Sequence, residues 1–287
     1  MRAFHSNWTK PFFSKHIGKY YIEDFELLTT ILSALKWQEC NGDIQMITDE
    51  VGAAYYKALG IEKIWNLGID DSLESKMDGS IDPSTFWAAG KLYALEKQQT
   101  PCVMIDTDFI IWKPIEKELL KHELTVIHRE DLQEDVYPGP EHLVVRENYT
   151  YPQKWDWSLE ACNTAFAFFK DPAFKDYYVN ESIRFMKGVA GEDPLIYMVF
   201  AEQRLLAMCA EEKNIDIYSF SNTKDLFHSK QEMFTHIWGY KRYIRSSPIV
   251  RENFCKRCIT RIKNDFPMYY PLLYRIDSLI PYLKDDR

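Results

Sequence analysis

Pro101-Cys102-Val103-Met104-Ile105-Asp106-Thr107-Asp108-Phe109-Ile110 is the stretch that decides how the rest of the chain is read. From Pro101 to Ile105 it is apolar without alternation, the pattern of a strand covered on both faces, as in a parallel sheet. It then runs straight into two carboxylates. Just upstream, Thr85 to Gln98 reads as a helix, with Phe86, Ala89, Leu92, Tyr93 and Leu95 on one side.

The same alternation of strand and helix extends outward. Met1 to Trp8 reads as a first strand and Glu23 to Trp37 as a helix. Asp43 to Thr48 reads as a strand, Val51 to Leu59 as a helix ended by Gly60, and Lys63 to Asn66 as a short strand. Downstream, Leu124 to His128, Thr164 to Phe169 and Ile215 to Phe220 read as strands. Phe174 to Met186 and Pro194 to Glu211 read as helices. This order predicts an α/β layered fold with ligands at the carboxyl ends of strands. No repeat, low-complexity tract or long linker interrupts the chain. The simplest division is one domain over 1–242 and a basic, aromatic extension over 243–287.

At 287 residues and 46% hydrophobic, the chain can bury a large core. Its 8 Trp, 18 Tyr and 17 Phe exclude a disordered chain and suit either a large aromatic core or ring stacking on sugars and bases. The net charge of −8 argues against nucleic acid as a partner. From Lys241 onward the balance is +6, which leaves −14 for the remainder. A basic segment on an acidic body predicts either a solvated helix face or contact with phosphates or an anionic membrane surface. Met1 to Asn7 has no apolar core of a signal peptide, and no stretch is long enough for a membrane span, so the expected location is the cytoplasm, either free or peripheral to the inner face of the membrane. The six cysteines fit buried free thiols. The single Cys255-x-x-Cys258 pair cannot complete a zinc site alone.

Asp106 and Asp108 lie two residues apart and converge if extended geometry persists between them. Paired carboxylates repel unless a cation sits between them, and oxygen ligands suit Mg²⁺ or Mn²⁺. His236-Ile237-Trp238-Gly239-Tyr240-Lys241 offers an imidazole that can join a mixed oxygen–nitrogen site. Gly239 lets backbone approach a phosphate, and Lys241 supplies a positive charge for it.

Together the two segments resemble nucleotide-sugar glycosyltransferases of the GT-A fold, especially glycosyltransferase family 8. Those enzymes carry a DxD after a hydrophobic strand and a His-x-x-Gly-x-x-Lys-Pro motif near the end of the catalytic domain. Here Lys241 follows Gly239 by two residues rather than three, and Arg242 stands next. The resemblance implies a GT-A, Rossmann-like mixed sheet flanked by helices, with a C-terminal helical extension. It further implies that Asp106, Asp108 and His236 hold Mn²⁺ (or Mg²⁺), which bridges the diphosphate of a nucleotide-sugar donor such as a UDP-sugar. Thr107, Lys91 and Asn163 fall on the donor side, Asn163 within Asn163-Thr164-Ala165-Phe166, similar to a segment lining the sugar pocket. Glu202-Gln203 resembles an Asp-Gln pair at the reacting face of the sugar. The match covers residues 1 to 242 as an order of motifs and looks like a divergent bacterial member.

By position in such a fold, Trp8 stacks near the base, and Asp49 takes a ribose or base hydrogen bond. The implied reaction is sugar transfer to a glycan or lipid-linked acceptor. A retaining enzyme places Gln203 under the anomeric carbon; an inverting one needs a carboxylate base, for which Glu192 and Glu202 are candidates. Two other readings stand beside this one. A nucleotidyltransferase can share the layout, but usually has a glycine-rich loop where this chain has HSNWTKPFF. A non-catalytic sugar- or partner-binding protein could keep the fold without turnover.

Overall fold

A computed structural model describes residues 1–223, 226 and 231–283. Its strands are β1 (Arg2–Asn7), β2 (Ile44–Thr48), β3 (Ile69–Asp70), β4 (Cys102–Ile105), β5 (Phe109–Ile111), β6 (Leu124–Val126), β7 (Arg129–Glu130), β8 (Ala161–Cys162), β9 (Phe166–Phe169), β10 (Ile217–Ser219) and β11 (Phe234–His236). Seven of them form a mixed central sheet in the order β10-β6-β9-β4-β1-β2-β3. All neighbours are parallel except β9, which runs antiparallel to both β4 and β6. The expected α/β architecture, a mixed sheet flanked by helices with a helical C-terminal segment, is therefore present.

The pleat divides each strand's apolar residues between two cores. Ala3, Val103, Ile105, Phe166 and Phe168 face one cluster, which includes the Asp24–Cys40 and Pro248–Asp265 helices. Phe4, Cys102, Met104, Ala167 and Phe169 face the other, against the Ala89–Glu96, Pro172–Gly188 and Leu205–Glu212 helices. Burial on both faces explains why the Pro101–Ile105 run does not alternate.

Local chemistry sets the element ends. Asp49 caps the Glu50–Leu59 helix by accepting from Gly52 N, and Gly60 closes it at φ 70°, in the left-handed region. The helix expected from Thr85 starts only at Ala89. The Asp82 carboxylate accepts from Ser84 and Thr85 and holds that segment in a turn. Lys63 to Asn66 is not a strand. Glu62–Ile64 forms a 3₁₀ turn that buries both Ile64 and Trp65, and pairing with β2 is made by Ile69–Asp70 instead. The long helix from Pro194 is interrupted by a π-helical turn at Phe200–Arg204.

The Pro248–Asp265 helix buries Phe254, Cys255, Cys258, Ile259 and Ile262. Arg245 and Arg251 pair with Glu23, Asp24 and Glu26 at the start of the Asp24–Cys40 helix. All six cysteines are free, and Cys255 and Cys258 lie in this packed face. Burial raises the Cys258 thiol to about 12, so it stays protonated. Among the described residues, no helix is long and apolar enough to cross a membrane.

Candidate active site

The two motif carboxylates converge, but not along a continued strand. β4 ends at Ile105, and Asp106 to Phe109 make a turn closed by Phe109 N donating to Asp106 O at 3.0 Å. β5 then leaves the main sheet and pairs antiparallel with β11, matching His236 to Phe109. That pairing carries His236 across 127 residues of sequence to the shoulder of Asp108. The ligand atoms of Asp106, Asp108 and His236 all lie within 4.8 Å of one another. Among the described residues this is the one cluster of three or more potential metal ligands.

Two lysines flank it. Lys91, from the Ala89–Glu96 helix, places Nζ 2.7 Å from Asp106 Oδ1 and also pairs with Glu202. Its helix sits close to β1 because Gly90 has no side chain; a Cβ there would meet Trp8 Cβ at 2.7 Å. Lys241 places Nζ 3.0 Å from Asp108 Oδ2 and 3.2 Å from Glu26 Oε1. Ser6, Asn7, Trp8, Lys91, Thr107 and Lys241 join the two aspartates around a cavity of about 190 Å³.

The charges are unevenly tuned. Burial pushes Asp106 up to about 6, with Asp108 and Glu202 adding to the rise and Lys91 opposing it. Burial also pushes on Asp108, but Lys241 and His236 outweigh it and hold this carboxyl below its usual range. Burial lowers His236 to about 4, only partly offset by Asp108. The imidazole is thus neutral at pH 7 and has a lone pair to offer. Lys91 stays charged: burial works against its ammonium, and Asp106 and Glu202 together outweigh burial. Two carboxylates and a neutral imidazole fit a divalent cation of the Mn²⁺ or Mg²⁺ kind.

Of the remaining sequence candidates, Trp8 lines the same cavity, whereas Asp49, Asn163, Glu192, Glu202, Gln203 and Gly239 do not. Glu202 is 2% exposed and also accepts from Thr164 Oγ1 at 2.6 Å. Gln203 follows it on the π-turn and accepts from Tyr137 Oη at 2.5 Å. Asn163 is buried and donates to Glu130 Oε1 at 2.7 Å. Trp8 donates its indole N–H to Glu74 Oε1 at 2.7 Å. Asp49 is buried and accepts from both Gly52 N and Thr9 N. Gly239 is exposed, and a Cβ there would meet nothing within 4 Å. Glu192 is exposed ahead of the Pro194–Val199 helix and does not line the cavity.

Three groups had no signal in the sequence. Glu130 accepts from Tyr137 and Asn163, which links the sugar-side candidates into one network. Glu26 holds Lys241, although it lies 215 residues away on another helix. Arg204, fully buried, donates to the carbonyls of Tyr137, Pro138 and Trp157 and so straps the 137–157 loop to the π-turn. A buried arginine reads in sequence as an exposed helix residue, and only the carbonyls it satisfies explain it.

Fold and site together define an α/β protein with an acidic, lysine-flanked candidate metal centre at the carboxyl end of a parallel strand. Residues 1–276 match the family described as "Family of unknown function (DUF6734)", and the chain belongs to that family. No curated protein matches the sequence. Among solved structures it is similar to mouse xyloside xylosyltransferase 1 in its apo form, at 10% identity over 77% of this chain and 84% of that one, with TM-score 0.39. It is also similar to a nucleoside-diphosphate-sugar pyrophosphorylase from Vibrio cholerae RC9, at 12% identity over 89% of this chain and 100% of that one, with TM-score 0.41.

Proposed function

We propose that the protein is a divalent-metal-dependent glycosyltransferase that takes a nucleoside-diphosphate sugar as donor. The observation that carries this reading is the convergence of Asp106, Asp108 and His236 within 4.8 Å, between Lys91 and Lys241. Those three residues would hold Mn²⁺ or Mg²⁺, which when bound neutralises a departing diphosphate. Lys241, 27% exposed at the cavity, would add a second positive charge on the leaving group.

The bond from the anomeric carbon to the diphosphate breaks, one to an acceptor hydroxyl oxygen forms, and the hydroxyl proton passes to the departing diphosphate in a retaining reaction or to a carboxylate base in an inverting one. We assign Gln203 and Asn163 to the sugar side, held by Tyr137 and Glu130. Glu202, tied to Lys91 and Thr164, positions Lys91 rather than abstracting a proton. Exposed Glu192 is left as the candidate acceptor-side carboxylate. We assign the acceptor as a glycan or lipid-linked hydroxyl, and the 137–157 loop that Arg204 straps as the candidate segment to bind it. The packed helix Pro248–Asp265 keeps Arg257 and other basic residues on its outer side, which suits peripheral contact with anionic lipid. Liposome binding that persists after deletion of residues 243–287 would rule that contact out.

The test is calorimetric titration of a panel of nucleoside diphosphates with and without Mn²⁺, on wild type and Asp108→Asn. Metal-dependent binding lost in the variant is expected. Absence of binding across the panel would overturn the reading. Formation of a nucleotide sugar from a nucleoside triphosphate and a sugar phosphate would instead identify a nucleotidyltransferase.

A further inference from the structure

A second cavity, of about 580 Å³, lies between the β5–β11 ribbon and the Asp24–Cys40 and Pro248–Asp265 helices, and shares no residue with the cavity at the carboxylates. Its floor is apolar. Leu32 and Ile110 are each 2% exposed, and Phe254 and Cys258 are buried beside them. On the ribbon wall, Trp112 donates its indole N–H to Thr235 Oγ1 at 2.8 Å, so the two polar groups there satisfy each other. Water inside would find few partners.

The rim is charged, and most of its charges are already answered. Lys113 pairs with Glu232 at 3.2 Å. Arg261 pairs with Asp265 at 2.7 Å and lies over the Trp112 ring. Arg257 is exposed and makes no ion pair among the described residues. Arg257 and Arg261 also line a shallower basin of about 500 Å³ along the same helix, completed by Asn253, Lys256, Thr260 and Asn264, with no carboxylate in its wall.

An apolar hollow that opens at an unanswered guanidinium is complementary to a molecule with two unlike ends. An alkyl chain takes the floor out of water, and an anionic head meets the planar fork of the arginine. A small polar anion would leave the floor wet, and a neutral chain would leave the guanidinium without a partner.

We infer that this cavity binds one molecule of an anionic amphiphile, its chain against Leu32, Ile110, Trp112 and Phe254 and its phosphate or carboxylate head on Arg257. A discrete pocket for a single chain goes beyond surface contact with anionic lipid, and it does not rest on the nucleotide-sugar reading. Its test is calorimetric titration of the full chain with dodecyl phosphate below its micelle concentration, without metal or nucleotide. Saturable binding of one molecule per chain is expected. Dodecyl maltoside, which keeps the chain and loses the charge, and octyl phosphate, which keeps the charge and shortens the chain, should each bind at least about tenfold more weakly. Inorganic phosphate should not bind measurably. Arg257→Gln, a change at an exposed side chain, should weaken dodecyl phosphate about tenfold and leave dodecyl maltoside unchanged. Lack of saturable binding, equal binding of the maltoside or of inorganic phosphate, or an affinity that survives Arg257→Gln would overturn the proposal. Binding to phosphatidylglycerol vesicles without binding of dodecyl phosphate would give the basic rim to a membrane surface instead, and a concentration-dependent dimer that excludes dodecyl phosphate would give the hollow to a second copy; either would also overturn it.

Discussion

Lys241→Met should bind Mn²⁺ more tightly than wild type while binding nucleoside diphosphate more weakly. Without metal, the Lys241 ammonium sits 3.0 Å from Asp108 Oδ2 and occupies the oxygen that a cation needs. A metal ion ligated by Asp108 must displace it, leaving Lys241 with Glu26 at 3.2 Å. Breaking a charge-assisted hydrogen bond costs roughly 1.5–3 kcal/mol. At 1.4 kcal/mol per tenfold, relief of that competition corresponds to about 10- to 100-fold tighter Mn²⁺ binding. Loss of the lysine's repulsion of the ion acts in the same direction. The diphosphate, by contrast, loses a cation and should bind about tenfold more weakly or worse. Manganese electron paramagnetic resonance reads the first quantity without turnover, and calorimetry in saturating Mn²⁺ reads the second. Unchanged or weaker Mn²⁺ binding by Lys241→Met would refute the competition.

Other outcomes follow from the same contacts. Arg204→Met leaves three carbonyls of the 137–157 loop without their donor, which at about 1–3 kcal/mol each should cost at least ~3 kcal/mol in urea unfolding. His5 is fully buried, accepts from Trp65 Nε1 and shares a hydrogen bond with Ser33. Burial lowers its pKa to about 3, slightly offset by Asp108, so the folded protein favours the neutral ring. Its contribution is fully present above pH 6.5 and is lost as pH falls toward 3, by about 5 kcal/mol in all. Denaturation midpoints of wild type and His5→Gln should therefore converge on acidification. Tyr137→Phe removes the hydroxyl shared by Glu130 and Gln203; it should lower sugar transfer about tenfold with Mn²⁺ affinity unchanged, which paired activity and metal titrations check.

Six of the seven central strands were legible because they are short apolar runs separated by helices; β3, only the two residues Ile69–Asp70, was not. Pro101 to Ile105 announced both its burial and its exit into the carboxylates. The turn at Asp106–Phe109 was harder to read, because an extended segment and a β-turn can both bring carboxylates two apart to one point. The β5–β11 pairing could not be read at all. Phe109–Ile111 and Phe234–His236 are three-residue segments, too short for a period, and their partnership depends on the third dimension. The His236 assignment therefore came from resemblance, whereas its neutrality comes from burial that only the fold reveals. Glu26, Glu130 and Arg204 were illegible for a related reason. Each is an ordinary charged residue locally, and each acquires meaning only from a partner between 7 and 215 residues away.

That two-stranded ribbon has a consequence for how the protein is made. Asp106 and Asp108 leave the ribosome long before His236, and β5 has no ribbon partner until residues 234–236 are available. Lys241, which guards Asp108, arrives later still. The nascent chain can thus form β1, β2 and β4 of the sheet while its acidic turn lacks both an imidazole and an ammonium. The nitrogen that this candidate centre would offer a cation is thus in place only late in synthesis, when the strand that brings it also closes the edge of β5.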